Sequence, residues 1–319
     1  MPKIFITRQL PENVISKLKN QFEVDMWPYE EKPVERDELL KQAEEADALL
    51  TMLTDSIDEE VFRKAKNLKV VANLAVGYDN IDIETAKEYG VTVTNTPDVL
   101  NETTADLTFA LLLATARRIP EAVKYIKQDE WKTWSPLLLA GSDVHHKTLG
   151  IVGMGSIGQA VAKRATGFNM NIIYHNRSRK EEAEQKLGAT YGSFDELLAK
   201  SDFVVCMTPL TDETKDMFDR EAFEKMKDSA IFVNSSRGGV VNEEDLYDAL
   251  KNEHIKAAGL DVFKGEPIKS DHALLELDNV VALPHIGSSS VETRMKMIEL
   301  AIQNVENVLV GEKPVTPIG

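Results

Sequence analysis

A single cysteine, Cys206, stands among 319 residues. No disulfide can close within the chain, and a reducing cytoplasm is the expected setting. Long apolar runs are missing too: the longest, Leu107 to Ala116, falls far short of the roughly 20 residues a membrane span needs. The opening Met-Pro-Lys-Ile-Phe-Ile-Thr has no basic region, apolar segment and small-residue cleavage site in series, which argues against a secretory leader. Positive charge is scarce. Lys and Arg number 37 against 53 Asp and Glu, a formal net charge of −16, the wrong field for a phosphate backbone, so no nucleic-acid partner is expected. Low-complexity tracts and solenoid-period repeats are absent. What remains is ordinary for a globular protein, with 43% hydrophobic and 28% charged residues. At roughly 150 residues per domain the chain holds about two.

Short β-rich runs alternate with helix-patterned segments. Lys3 to Thr7 reads as a strand and Pro11 to Asn20 as a helix, with Val14, Ile15 and Leu18 at helical spacing. Ala48 to Met52, Lys69 to Ala72 and Val91 to Val93 read as further strands. A long helix follows Pro97, with Asn101 as its N-cap. Gln128 to Lys147, with Trp131 and Trp134, has weak periodicity and reads as a long loop or arm. A second series runs from Thr148 to about His285, with strands near Gly150, Ile172, Phe203, Ile231, Ala257 and Val280. The last helix is Val291 to Val310, stopped by Gly311. Such alternation implies parallel sheets with helices on their faces.

The strongest local signal is Leu149-Gly150-Ile151-Val152, a buried-strand pattern running into Gly153-Met154-Gly155-Ser156-Ile157-Gly158, with Gln159 to Thr166 as the helix beyond. This is the dinucleotide fingerprint in its strand–turn–helix context. Gly153 permits the tight turn, Gly155 lets the backbone approach a pyrophosphate, and Gly158 lets helix pack on strand. The helix N-terminus then offers N–H groups to the anion. After the next strand, Asn171 to Tyr174, an NAD site usually places a carboxylate on the ribose. Here stand Asn176-Arg177-Ser178-Arg179. A guanidinium welcomes a 2′-phosphate that an Asp would repel, so NADPH is expected over NADH. The alternative is that the two arginines are solvated loop charges. The fingerprint lies near mid-chain, so the leading half forms another domain, with a small-molecule site expected in the cleft between the two.

A bound nicotinamide implies hydride transfer, for which the protein must hold a substrate, polarise its carbonyl and deliver a proton. Arg237 in Ser235-Ser236-Arg237-Gly238-Gly239, Glu266 in Gly265-Glu266-Pro267, and His285 in Pro284-His285-Ile286-Gly287 each follow an expected strand, where ligands meet open α/β sheets. Singly, each is as readily a turn charge, a solvated loop carboxylate or a hydrogen-bonded structural histidine.

Together these blocks, with Ala75-Val76-Gly77-Tyr78-Asp79-Asn80-Ile81-Asp82, Thr208-Pro209-Leu210-Thr211-Asp212-Glu213-Thr214 and Gly259-Leu260-Asp261-Val262-Phe263, make the chain resemble the D-isomer-specific 2-hydroxyacid dehydrogenases along essentially its whole length. Within that family it looks most like the glyoxylate/hydroxypyruvate reductases, on the basic loop after Tyr174, the Ile286-Gly287-Ser288 ending and Trp131-Lys132-Thr133-Trp134-Ser135-Pro136. The resemblance implies an α/β fold of two Rossmann-like, doubly wound parallel-sheet domains. The substrate domain is 1–99 completed by 288–319, and the nucleotide domain is 100–287. It implies His285 as acid/base, Glu266 as its partner raising the imidazole pKa, and Arg237 as the clamp on a 2-oxo acid. Val76 and Gly77 N–H groups would bind the substrate carboxylate, with Leu53 bordering the pocket. The cofactor would meet Gly153 to Gly158, Asn176, Arg177, Ser178, Thr208, Pro209, Thr214, Ser235, Ser236, Arg237, Asp261, His285 and Gly287. A homodimer is implied through the arm around Gln128 to His146, with Trp134 either reaching the partner's active site or packing within its own arm. No metal is expected.

Two other readings stay open. One keeps the chemistry and changes the acid, to a D-lactate or phosphoglycerate type. A 3-phosphate would need more basic residues than the Lys32, Arg36 and Lys41 found within 29–55. The other is a nucleotide-sensing corepressor-like binding protein, disfavoured because no interaction tail follows Val310.

Overall fold

The computed structural model describes residues 1–318. In chain order the elements are β1 (Lys3–Ile6), α1 (Glu12–Lys19), β2 (Glu23–Met26), α2 (Arg36–Ala43), β3 (Ala48–Thr51), α3 (Glu59–Lys64), β4 (Val70–Asn73), α4 (Ile83–Glu88) and β5 (Thr92–Thr94). They continue with α5 (Asn101–Ala116), α6 (Ile119–Lys127), β6 (Thr148–Val152), α7 (Ser156–Thr166), β7 (Asn171–His175), α8 (Glu181–Leu187), β8 (Thr190–Tyr191) and α9 (Phe194–Lys200). The series closes with β9 (Phe203–Cys206), α10 (Arg220–Lys225), β10 (Ile231–Asn234), α11 (Glu243–Lys251), β11 (Ala257–Leu260), β12 (Val280–Ala282) and α12 (Val291–Leu309).

The chain divides into two compact units. One is Met1–Leu100 with the segment from Ser290 on; the other is Asn101–Ser289. The first holds a parallel sheet in the order β2-β1-β3-β4-β5. Phe5, Leu49, Val71 and Val93 point into a core shared with Leu39, Leu40, Val61 and Phe62. The alternate residues Ile4, Ile6, Leu50, Val70 and Ala72 are equally buried, as they must be where helices cover both faces. Helix α12 packs against β3 and β4 and begins where the Ser290 side chain accepts from Thr293 N. Asn304, wholly buried on α12, accepts from Val315 N and Thr316 N at 2.8 and 3.0 Å and so pins the chain beyond the helix.

The second unit is a seven-stranded parallel sheet, β12-β11-β10-β9-β6-β7-β8. Strand residues alternate between its two cores. Ile151, Phe203, Val205, Ile231 and Val233 join Phe109, Leu112 and Val161. Val152, Val204, Cys206 and Phe232 join Leu197, Phe223 and Leu246 on the other face. The doubly wound architecture expected from the alternating pattern is thus present twice. The order reverses beside β6, between β6 and β9, the point at which open α/β sheets bind ligands.

Several local expectations shift. Edge strands β2 and β8 were not anticipated. Asn101 is the first residue of α5 rather than its cap, and α7 begins at Ser156, three residues before Gln159. Strand β7 runs one residue further, to His175. Residues 128–147 form neither helix nor strand, as the weak periodicity predicts. Among the described residues no helix is long and apolar enough to cross a membrane.

Candidate active site

The fingerprint sits at the carboxyl end of β6. Gly153 has φ 102°, and a Cβ there would lie 2.6 Å from the Met207 carbonyl carbon, so both conformation and space demand glycine. Its N–H donates to His175 O at 2.9 Å, tying the turn to the end of β7. A Cβ on Gly158 would meet Gly153 O at 2.1 Å, whereas one on Gly155 would meet nothing within 4 Å. Helix α7 starts at this open place, and the first-turn amides of Ser156 and Ile157 have no protein acceptor among the described residues. Met154 is wholly buried and packs in the core of this unit.

His175, not Asn176, occupies the end of β7, with Nδ1 3.1 Å from Gly192 O. Asn176 Nδ2 donates to Ser178 O at 2.9 Å and shapes the loop. The two arginines of this loop differ in their partners. Arg179 is bidentate on Glu184, Nε and Nη2 each 2.7 Å from a carboxylate oxygen. The Arg179 hydrogen bonds, with that of Tyr174, bring the Glu184 carboxyl down to about 2. Arg177 and Ser178 stay exposed, and among the described residues Arg177 makes no hydrogen bond or ion pair.

After β9, Thr214 Oγ1 donates to Pro209 O at 2.6 Å and accepts from Thr211 N at 2.8 Å, closing the loop that Thr208 enters. Ser236 Oγ is engaged with Asn234 Oδ1 at 2.9 Å. Ser235 Oγ and Asp261 Oδ2 are among the buried side-chain atoms of the described residues that have no hydrogen-bond partner. Such orphans are rare unless a ligand completes them. Asp261 Oδ1 accepts from Ile286 N at 2.8 Å, and a Cβ on Gly287 would come within 3.3 Å of Oδ2. Burial pushes the Asp261 carboxyl up against the pull of the Ile286 amide and the His285 charge. The open Gly155 turn, the free amides of α7 and these orphans fit a nicotinamide dinucleotide.

The three reactive candidates follow β10, β11 and β12, which are neighbours in the sheet. The buried Asn234 shapes the turn to Arg237: its Oδ1 accepts from Ser236 N at 3.0 Å and its Nδ2 donates to Arg237 O at 3.0 Å. Gly238 then lies so close to the next loop that a Cβ would fall 1.9 Å from the Phe263 carbonyl carbon. In that loop Phe263 N donates to Glu266 Oε1 at 2.8 Å. Glu266 Oε2 lies 2.7 Å from His285 Nδ1, both side chains about one quarter exposed at 23% and 24%. Burial works against the Glu266 carboxylate. The bond to His285, its charge, the Phe263 amide and the nearby Arg237 charge together still hold the carboxyl below its ordinary value. Sequence reasoning missed the part Asn234 plays in shaping the turn to Arg237; an amide at a strand end beside Ser-Ser-Arg-Gly was the available signal.

In the other unit, Leu53 lies in a turn closed by Asp55 N donating to Met52 O at 3.0 Å. The carbonyls of Val76 and Gly77 accept from Asn95 Nδ2 at 2.8 Å and Asn73 Nδ2 at 3.0 Å. The N–H groups of Val76 and Gly77 have no protein acceptor among the described residues. Trp134 is 78% exposed, so it does not pack within its own arm. No cluster of three or more metal-ligating side chains occurs among the described residues.

Comparison with known proteins shows the family. Residues 109–287 match the profile described as D-isomer specific 2-hydroxyacid dehydrogenase, NAD binding domain. The chain is 52% identical over 319 residues to a glyoxylate reductase of Thermococcus kodakarensis, covering 99% of this chain and 95% of that protein. A glyoxylate reductase structure from Paecilomyes thermophila matches with TM-score 0.89 and 31% identity, over 99% of this chain and 98% of that one. An NADPH-dependent glyoxylate/hydroxypyruvate reductase from Sinorhizobium meliloti, in complex with NADP and malonate, matches with TM-score 0.86 and 31% identity, over 100% and 97%.

Proposed function

Because the chain belongs to the D-isomer specific 2-hydroxyacid dehydrogenase family and reduces a 2-oxo acid, we propose that its substrate is glyoxylate or hydroxypyruvate and its preferred reductant NADPH. The observation that carries this reading is the 2.7 Å pair of Glu266 and His285, beside the buried orphan atoms of Ser235 and Asp261.

When bound, a reduced nicotinamide supplies the hydride. His285 gives a proton from Nε2 to the substrate carbonyl oxygen, its Nδ1 being engaged with Glu266. Glu266 fixes the ring's orientation through that bond. Arg237 takes carboxylate and carbonyl oxygens together and sets the face presented for reduction. The amides of Val76 and Gly77 are the proposed donors to a substrate carboxylate, glycine allowing close approach, and Leu53 is a proposed pocket residue. Asp261 and Ser235 hold the nicotinamide end, α7 the pyrophosphate, and Arg177 the 2′-phosphate. The protein is an anion taking an anionic substrate, so Arg237 must supply local attraction against the net charge of −16.

A homodimer belongs to the same reading. Helix α6 buries no residue, and Ile119, Val123, Ile126, Trp131, Trp134 and Leu137 expose between 48% and 81% of their surface, an apolar patch that a second copy would cover. The single cysteine, buried and free, supports a cytoplasmic setting.

The test is a matrix of initial rates: glyoxylate, hydroxypyruvate, pyruvate and 2-oxoglutarate, each with NADPH and NADH. Highest kcat/KM for the two-carbon or hydroxylated three-carbon acid with NADPH supports the proposal. Fastest turnover of pyruvate moves the substrate to the lactate type. Nucleotide binding without turnover of any acid overturns the enzymatic role.

A further inference from the structure

The loop that presents Glu266 is held from outside the reactive trio. Glu243 opens α11, but its carboxylate does not cap that helix, because the Asn242 side chain already accepts from Glu244 N and Asp245 N. Glu243 reaches instead to the turn after β11, where its Oε1 accepts from Lys264 N at 2.7 Å. Its Oε2 lies 3.3 Å from His272 Nε2, with the side chains only 18% and 21% exposed. The His272 ring meets the Phe263 ring edge-on at 5.6 Å. The Phe263 amide donates to Glu266 itself. Two consecutive amides of one turn are therefore each aimed at a carboxylate, one belonging to Glu266 and the other to Glu243. His272 touches both the second carboxylate and the turn's aromatic side chain.

We propose that Glu243, steadied by His272, is a positioning residue for the Glu266–His285 pair; this rests on the acid–base reading above. Removing the Glu243 carboxylate, only 18% exposed, takes the acceptor from Lys264 N. What is lost is the fixed height of the turn. A misplacement of about 1 Å at the reacting groups can cost on the order of a hundredfold in rate, so an effect on chemistry larger than the effect on folding follows.

The test uses the full chain with glyoxylate and NADPH. Glu243→Ala should lower kcat by at least about tenfold, leave the NADPH dissociation constant from fluorescence titration unchanged, and enlarge the isotope effect with 4-deuterated NADPH. Glu243→Gln should restore most of the rate, since its amide oxygen can accept from Lys264 N. Should Glu243→Ala not fold, Glu243→Asp keeps the charge and shortens the reach, and must show the same split. A kcat within about twofold of the parent in Glu243→Ala or Glu243→Asp, or a loss that only tracks the unfolded fraction seen by circular dichroism, overturns the proposal. His285→Ala separates the two readings. An inactive His285→Ala beside a fully active Glu243→Ala removes the positioning role alone, while an active His285→Ala removes the acid–base reading and this proposal with it.

Discussion

His285 Nδ1 and Glu266 Oε2 meet at 2.7 Å across two loops that leave neighbouring strands, and His285 does so with a left-handed backbone, φ 55°. Histidine, with Asn and Asp, is among the non-glycine residues that enter this region most readily. Glu266→Gln keeps the shape and one acceptor but removes the charge. It should lower kcat for glyoxylate reduction by about a hundredfold while the NADPH dissociation constant stays the same. A parallel rise in that constant would mark the pair as structural.

The depressed carboxyl of Glu266 gives a pH prediction. An acid whose folded value lies below its unfolded one stabilises the fold above the unfolded value, and that contribution is lost as pH falls through the folded value. The pair should stay intact down through the ordinary glutamate range near 4.3 and break only below it. Urea unfolding from pH 7 to pH 3 should show the parent losing its advantage over Glu266→Gln only in the lowest part of that range. An advantage that grows as pH falls would reverse the sign and refute the assignment.

Arg237 follows a turn built by Asn234. Arg237→Ala should raise KM for glyoxylate and lower kcat together, because the same guanidinium binds and orients. A kcat/KM near that of the parent would contradict its role. Arg237→Lys should recover little, since an ammonium cannot take two oxygens in the bidentate manner.

Arg177 and Arg179 should part company. Arg177→Ala should raise KM for NADPH by about tenfold and leave NADH unchanged, the loss of one charge-assisted contact to phosphate. Arg179 is committed to Glu184, so Arg179→Ala should leave KM for NADPH within about twofold. Equal effects of the two substitutions in side-by-side KM measurements would place the 2′-phosphate elsewhere.

The core of the fold was legible because burial on both sheet faces writes continuous apolar runs such as Phe203–Cys206 and Ile231–Phe232-Val233. Strand β2, Glu23–Met26, alternates exposed and half-buried residues at a sheet edge, and Thr190–Tyr191 is two exposed residues long. Neither carries a run to read. The fingerprint was legible because its turn demands glycine at Gly153, whereas Arg237, Glu266 and His285 stood out by their places after strands and took their roles from the family resemblance alone. The Arg179–Glu184 bond was not, since it joins a loop to the next helix at a spacing with no periodic signature. Nor was Glu243 with Lys264, which are 21 positions apart and brought together only by the sheet.

Cys206 is wholly buried at the end of β9, and its thiol is pushed up to about 11 by burial against the hydrogen bonds of Ser236 and Thr208 N. The thiolate is the reactive form. The folded protein should therefore resist iodoacetamide at pH 8 and take up one equivalent only on unfolding in guanidinium. Rapid labelling of the native chain at that pH would show that the second unit opens locally at β9.

Asp55 argues the last case. It is 4% exposed, accepts from Thr7 Oγ1 and from Met52 N at 2.8 Å, and has Arg8 Nη2 4.0 Å from its other oxygen. Burial outweighs these partners and pushes its carboxyl up. The sign is opposite to that of Glu266. As pH rises from the ordinary aspartate value through the raised one, the folded state must accept a buried charge, so stability falls across that window and is level above it. Asp55→Asn carries no charge to bury and keeps an acceptor for Met52 N. Its stability relative to the parent should therefore rise between about pH 4 and the raised value, measured by paired urea melts. A variant that instead loses ground as pH rises would mean that Arg8 and the Met52 turn favour the ionised form, and the balance at this site would have to be drawn the other way.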